Sequence, residues 1–274
     1  MRVRFRFTKL GKIRFTSQRD VARMWERALR RAGLPLAYTA GFSPRPQLSF
    51  GLALPTGCES LAEYVDVAID EGRPGADPVE PSVLPGVLSP LLPAGIEVEE
   101  AELVRPGGDS LQQAVTSCSW MMRLAGIPRG ELEDRVAALL AAPEVPIVRE
   151  RKGREERDDL RPSVRVLAVA DADEDLAEDP SGRTVGLRSE LATQPRGVRP
   201  VELTRGLIAV ADGSPVQSPP GPGARPAPAR NPVLDRACRT HQWIEREGFR
   251  VEPLGRRAVP ATAPRAQHAL ERAS

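Results

Sequence analysis

Residues Arg2 to Thr8 alternate without a break, with Val3, Phe5 and Phe7 on one side and Arg2, Arg4 and Arg6 on the other. A period of two over this length predicts a half-buried strand. Any fold built on it must lay an apolar layer against one face and find a use for the guanidinium row on the other. After a turn at Gly11, Ser17-Gln-Arg-Asp20 has capping-box spacing: the Ser17 hydroxyl can accept from the backbone of Asp20, whose carboxylate can reach back. The spacing predicts a helix to about Ala32, with Gly33 as its stop. Val21, Met24, Trp25, Ala28, Leu29 and Ala32 form its apolar stripe, and Arg19, Arg23, Arg27 and Arg30 line the opposite side.

Gln47 to Leu54, Glu63 to Asp70 and Ile96 to Val104 read as further strands. Between the last two, Pro78, Pro81, Pro85, Pro90 and Pro93 limit any helix to about two turns. The order β-α-β-β-(α)-β is that of a split βαβ unit. The theme recurs more loosely. Val115 to Leu124 reads as a strand and Glu131 to Ala141 as a helix. Val145 to Arg151, Arg161 to Val169 and Arg183 to Leu191 follow as strands, with a charged loop around Lys152-Gly153, and Pro200 opens a short helix ending near Ile208. The predicted fold class is therefore α+β: two ferredoxin-like (split βαβ) units in tandem, 1–104 and 105–212. Residues 213–274 are expected as a Pro-rich linker and mostly disordered tail, with seven prolines between Gly213 and Pro232.

Charge is distributed unevenly. Residues 1–50 hold ten arginines and two lysines against Asp20 and Glu26, a balance of +10, while residues 51–104 hold eleven acids against Arg73. The whole-chain value of +2 conceals this, and such asymmetry points to an anionic partner. With aromatics at 4%, the core is expected to rest mainly on Val, Leu and Ala. Cys58, Cys118 and Cys238 are far apart, with no ligand-like spacing, and are expected as reduced thiols in a cytoplasm. No stretch approaches a membrane span of roughly 18 apolar residues. His241 and His268 are the two histidines, which argues against a mononuclear metal enzyme. Gly51-Leu-Ala-Leu-Pro-Thr-Gly57 lacks the lysine of a phosphate loop, and no recognisable catalytic constellation, metal set or cofactor motif is present. The acid clusters Asp158-Asp159 and Asp173-Glu174-Asp175 read as loop charge.

The basic block supplies the candidate binding residues: Arg2, Arg4 and Arg6 on the strand, Lys9, Lys12 and Arg14 extending the patch, Arg19 on the helix, and Phe42, Ser43 and Arg45 in a loop stiffened by Pro44 and Pro46. Arginine's planar fork suits phosphate or carboxylate groups, and on nucleic acid such contacts position without reading sequence. Internal pairing is the alternative, because Glu63, Asp66 and Asp70 lie on a strand able to pair with the first. Phe42 and Phe50 either stack on a partner or, as the shortage of aromatics favours, anchor the loop from within. Trp25 is read as core and Cys58 as inert.

The run from Phe7 to Leu61, TKLGKIRFTSQRDVARMWERALRRAGLPLAYTAGFSPRPQLSFGLALPTGCES at its centre, followed by Glu63-Tyr64-x-Asp66, resembles the bacterial radical-SAM-linked protein family. A weaker echo lies at Lys152-Gly153 and Asp159-Leu-Arg-Pro162. Gln18 stands where the family usually has histidine, Gln47 where a basic residue is common, and the stretch from Pro78 to Pro93 replaces a helical segment. The domain is one of unknown function, found beside B12-binding-type radical SAM enzymes. The resemblance implies a radical SAM enzyme as partner and supplier of the chemistry, since this chain has no CxxxCxxC cluster motif. The expected function is a non-catalytic accessory protein that docks on such an enzyme, presents an anionic substrate such as RNA, or does both through the basic N-terminal face. The alternatives are an RNA-modifying or RNA-processing enzyme on the same scaffold, or an interaction protein whose charge is neutralised internally.

Overall fold

The computed structural model describes residues 1–72, 78–104, 110–151, 154–171, 183–212, 231–255 and 258–260. They form a mixed α+β protein that divides into two compact units. Unit 1 joins Met1–Thr116 to residues 239–260, and unit 2 spans Ser117–Cys238.

In unit 1 the elements are β1 (Arg2–Lys9), α1 (Gln18–Arg31), β2 (Leu48–Phe50), β3 (Glu59–Ala68), α2 (Leu84–Leu88), β4 (Val98–Leu103) and the single turn α3 (Leu111–Ala114). β1 lies between β4 and β3, antiparallel to both, and β2 pairs antiparallel with β3. The cap of α1 differs in one detail from the expected box. The Ser17 hydroxyl accepts from the Asp20 backbone N–H at 3.2 Å and donates to the Asp20 carboxylate at 2.7 Å, so the carboxylate takes the hydroxyl rather than the backbone. The helix stops before Gly33, whose φ of +72° glycine adopts at little cost. The prolines hold α2 to five residues.

One face of this sheet is apolar as the alternation requires. Val3, Phe5 and Phe7 meet Val65 and Val67 on β3, Val98 and Ala101 on β4, Val21, Trp25 and Leu29 on α1, and Leu88 on α2. Trp25 stands over β1 with its rings 5.4 Å from Phe5 and 5.0 Å from Phe7. Each buried Val, Leu or Phe among them contributes about 1.5–3 kcal/mol.

Unit 2 contains β5 (Ser117–Ala125), α4 (Arg129–Ala141), the hairpin β6 (Pro146–Arg151) and β7 (Arg154–Asp159), β8 (Val164–Val169), β9 (Thr184–Ala192) and α5 (Pro200–Asp212). β9 pairs antiparallel with β5 and with β8. The charged loop expected around Lys152 is thus flanked by a strand pair, in which Arg149 faces Glu156. β7 reads Arg-Glu-Glu-Arg-Asp-Asp and holds no apolar residue, so hydrophobic periodicity misses it.

The expected tail is corrected over its described part. β10 (Val233–Arg246) is a 14-residue strand, followed by β11 (Phe249–Val251) and β12 (Ala258–Pro260). Residues 239–246 of β10 count with unit 1, beside β3, and residues 233–238 with unit 2, beside β5. The boundaries expected at 104 and 212 therefore give way to 116 and to a return of the chain into unit 1 at Arg239. Residues 213–230, the proline-rich linker, and residues 261–274 lie outside the described residues.

Arg239 shows why the return is fixed. It is 2% exposed, donates through Nε to Glu63 at 3.1 Å and through Nη2 to the Leu52 carbonyl at 2.9 Å. Breaking one half of a buried ion pair leaves the other charge desolvated and costs about 3–5 kcal/mol. Glu63→Ala is expected to lose that much in urea unfolding. Replacing the pair together, Glu63→Leu with Arg239→Met, is expected to recover most of the loss.

Candidate partner-binding surface

The guanidinium row of β1 is committed internally. Arg4 is 8% exposed and forms a two-pronged pair with Asp66 on β3, Nε to Oδ1 at 2.7 Å and Nη2 to Oδ2 at 3.0 Å. Arg6 donates to the Leu61 carbonyl at 3.3 Å and lies 3.2 Å from Glu99 and 3.6 Å from Glu252. Lys9, 2% exposed, donates to the Thr16 carbonyl at 2.9 Å, and burial lowers its pKa although Glu63 and Cys58 oppose the shift. The expectation that Arg4, Arg6 and Lys9 project outward is corrected. Asp66 lies directly across from Arg4 in the β1–β3 register, where a carboxylate and a guanidinium neutralise each other. Arg2, at the exposed start of β1, has no ion pair among the described residues.

The free positive charge lies elsewhere. Residues 11–47 carry eight cations against Asp20 and Glu26. Three segments present them: the 3-10 turn Gly11–Phe15, the outer side of α1, and a finger formed by Ala37–Gln47. On α1, Arg23 and Arg30 reach Asp20 and Glu26 at 3.6 and 3.3 Å, exposed contacts that contribute about 0.3–0.5 kcal/mol each. Arg19, Arg27 and Arg31 are exposed and have no ion pair among the described residues. Thr16, Met24, Arg23, Arg27 and Arg30 border a shallow groove along the helix, of about 490 Å³.

The finger is ordered from its base. Gln47 N–H donates to the Ala37 carbonyl at 2.9 Å, Thr39 N–H to the Arg45 carbonyl at 2.9 Å, and Arg45 N–H to the Thr39 hydroxyl at 3.1 Å. Gln47 Nε2 also donates to the Tyr38 carbonyl at 2.9 Å, so its amide closes the finger. Gly41, at φ +125°, makes the bend at the tip. Phe42 beside it is fully exposed, against the expectation of burial; Phe50, at the base, packs edge-on against Phe7 at 6.5 Å. Ser43 and Arg45 are exposed with Phe42.

The turn at the other end of α1 carries Lys12, exposed, and Arg14, whose guanidinium lies 4.7 Å from the Phe15 ring centre and 3.5 Å from Glu59. Phe15 is 63% exposed. Exposed phenylalanines thus stand on the turn before and on the finger after an arginine-lined helix of about 21 Å. Phe15 escaped the sequence reading because it falls between a predicted strand and helix. Its neighbour Arg14 on a basic turn was the available signal.

The remaining candidates resolve as structural. Asp159 Oδ1 accepts from Val145 N–H at 2.8 Å and Arg161 N–H at 2.9 Å, and Asp158 lies 3.3 Å from Arg149, so this acid pair braces the β6–β7 hairpin. Asp173-Glu174-Asp175 lies outside the described residues. Among the described residues no three His, Cys, Asp or Glu side chains converge as a metal site. No described helix is long and apolar enough to cross a membrane. Cys58, Cys118 and Cys238 are buried, and none forms a disulfide.

Fold and surface together define a two-unit α+β protein with a basic helical ridge and no assembled metal centre among its described residues. Residues 2–200 match the model of a family described as "Uncharacterized protein conserved in bacteria (DUF2344)", and the chain belongs to that family. No curated protein matches it. Among solved structures, a chain of "Crystal Structure of a Cbf5-Nop10-Gar1 Complex" superposes at a TM-score of 0.43 and 10% identity, over 88% of this chain and 48% of that one. The match thus spans about half of that chain's length.

Cys58 gives a measurable signature of the buried network under the turn. Burial pushes its thiol from 9.0 up to about 11, against the pull of Arg239 and Lys9. The folded value lies above the unfolded one, so stability is intact below pH 9 and falls as pH rises towards 11, where only the unfolded chain ionises. The decline is expected to reach at most about 1.4 kcal/mol per pH unit. Urea unfolding between pH 8.5 and 10.5 is expected to show this fall in the native sequence and a shallower one in Cys58→Ala.

Proposed function

We propose that the chain is a non-catalytic accessory protein of the cytoplasm that holds an anionic partner on the ridge formed by α1, the Gly11–Phe15 turn and the Ala37–Gln47 finger. The observation that carries this reading is the set of exposed cations with no carboxylate partner among the described residues, Lys12, Arg19, Arg27, Arg31 and Arg45, on the same three segments as exposed Phe15 and Phe42. Guanidinium groups neutralise phosphates and release counterions, and a free ring stacks on a base without regard to sequence. Single-stranded RNA has both chemistries, and the resemblance to radical-SAM-linked proteins supports a radical SAM enzyme as the companion that acts on it.

The strand orders support the finer fold reading. Unit 1 follows β4-β1-β3-β2 and the strands of unit 2 with β10 follow β10-β5-β9-β8, each with a helix in both crossovers, an order that supports a ferredoxin-like reading of each. The rival reading, an RNA-processing enzyme, needs a cleft joining Arg45 to a carboxylate or thiol. Neither the α1 groove nor the cavity of about 930 Å³ beside α4 and α5 includes Arg45.

The test is anisotropy of a labelled single-stranded RNA, with capture of the companion enzyme measured in parallel. Arg19→Glu, Arg27→Glu and Arg45→Glu together are expected to weaken RNA binding by about a hundredfold or more and flatten its salt dependence by about three phosphate contacts. Phe42→Ala is expected to lose about 1–3 kcal/mol with the salt slope unchanged. Unchanged affinity for both RNA and enzyme would remove the ridge from consideration.

A further inference from the structure

The turn after β11 comes back over the polar face of the unit 1 sheet. The Pro253 carbonyl accepts from Arg4 Nη1 at 3.0 Å, and the Glu252 carboxylate lies 3.6 Å from Arg6 Nη1. Leu254 joins Ala62, Tyr64 and Leu111 in an apolar cluster of its own, apart from the core under α1. Gly255 N–H donates to the Glu252 carbonyl at 2.7 Å and closes the turn. Glu252 and Leu254 are 5% and 9% exposed. Three consecutive residues therefore engage the sheet by three different means: an acidic side chain, a backbone oxygen and a leucine.

The fit leaves the Tyr64 hydroxyl over. Tyr64 is 1% exposed and sits across from Arg6 in the β1–β3 register, yet its hydroxyl has no hydrogen-bond partner among the described residues. Burial, reinforced by Glu252, raises its pKa, so it remains a protonated donor lacking an acceptor. A buried donor left unmade is a cost that a better-fitting occupant would remove.

We propose that Glu252–Leu254 is a resident stand-in for a partner peptide, and that the face beneath it docks a segment bearing a carboxylate followed two residues later by a leucine. The occupant is read from the contacts themselves: Arg6 takes the carboxylate, Arg4 a backbone oxygen, and the Ala62–Tyr64–Leu111 patch the leucine. A segment with one further acceptor beside its carboxylate also accepts a hydrogen bond from the Tyr64 hydroxyl and so has an advantage over the resident turn. This site is separate from the basic ridge and does not rest on it. Because the resident turn is tethered, a free peptide competes against an effective concentration of millimolar order.

The test uses the full chain and a fluorescein-labelled peptide of the sequence spanning residues 249–255, read by anisotropy against a scrambled control. The native chain is expected to bind it weakly. Glu252→Ala with Leu254→Ala is expected to bind it at least about tenfold more tightly. Adding Arg6→Ala is expected to return binding to the native level. Equal binding by the native and doubly changed chains would overturn the proposal, as would equal binding of the scrambled peptide. Should the double variant not fold, Glu252→Gln alone is measured in the same way; loss of cooperative melting there too would show the turn to be integral core and overturn the proposal. Light scattering showing dimers that exchange this turn would overturn the peptide reading in favour of a second copy.

Discussion

The pairing of Arg4 with Asp66 is the contact on which unit 1 depends. It couples β1 to β3 at the centre of the sheet, and the same guanidinium reaches the Pro253 carbonyl. A strand carrying three arginines on one face would otherwise present a repulsive row to whatever covered it. With Asp66 opposite Arg4 and Glu99 and Glu252 beside Arg6, that face becomes neutral enough to bury. Arg239 with Glu63 repeats the solution one strand over and brings β10 into the same unit. Part of the opposing charge blocks of the first 104 residues thus pairs within unit 1, Arg4 with Asp66, Arg6 with Glu99 and Arg14 with Glu59.

This division underlies the surface proposed for a partner. Charge that lies across the sheet from carboxylates is spent on folding. Charge on the outer side of α1 and on the finger has two helical acids as company, and those are held within exposed i,i+3 and i,i+4 contacts. The exposed phenylalanines accompany this second set, not the first. These exposed cations and rings are therefore the surface proposed for an outside molecule.

Local pattern made much of this legible. The alternation of β1, the cap at Ser17, the stripe under Trp25, the proline-limited α2 and the strands β3, β4, β5 and β9 all follow from spacing within a few residues. The pairing of β1 with an acidic strand was legible as an alternative, since register alone decides whether Asp66 or Tyr64 faces Arg4. What covers the far side of β1 was not legible, because Glu252 and Pro253 lie some 250 residues away in a segment whose composition reads as tail. β10 was missed for a related reason: buried Arg239 and Gln242 break its apolar alternation, and their partners Glu63 and Ala62 belong to a strand remote in sequence. Phe42 was misplaced because a shortage of aromatics argues for burial, whereas the finger's backbone bonds hold it without help from the ring.

A double-mutant cycle on Arg4 and Asp66, followed by urea unfolding, measures the central contact most directly. Arg4→Met and Asp66→Leu are each expected to lose about 3–5 kcal/mol, and the two together no more than either alone, because neither then strands a buried charge. Losses below about 1 kcal/mol that simply add would mark the pair as an ordinary solvated contact. In that case the first strand's guanidinium row would be free after all, and the assignment of the partner surface to the helix and finger would fall.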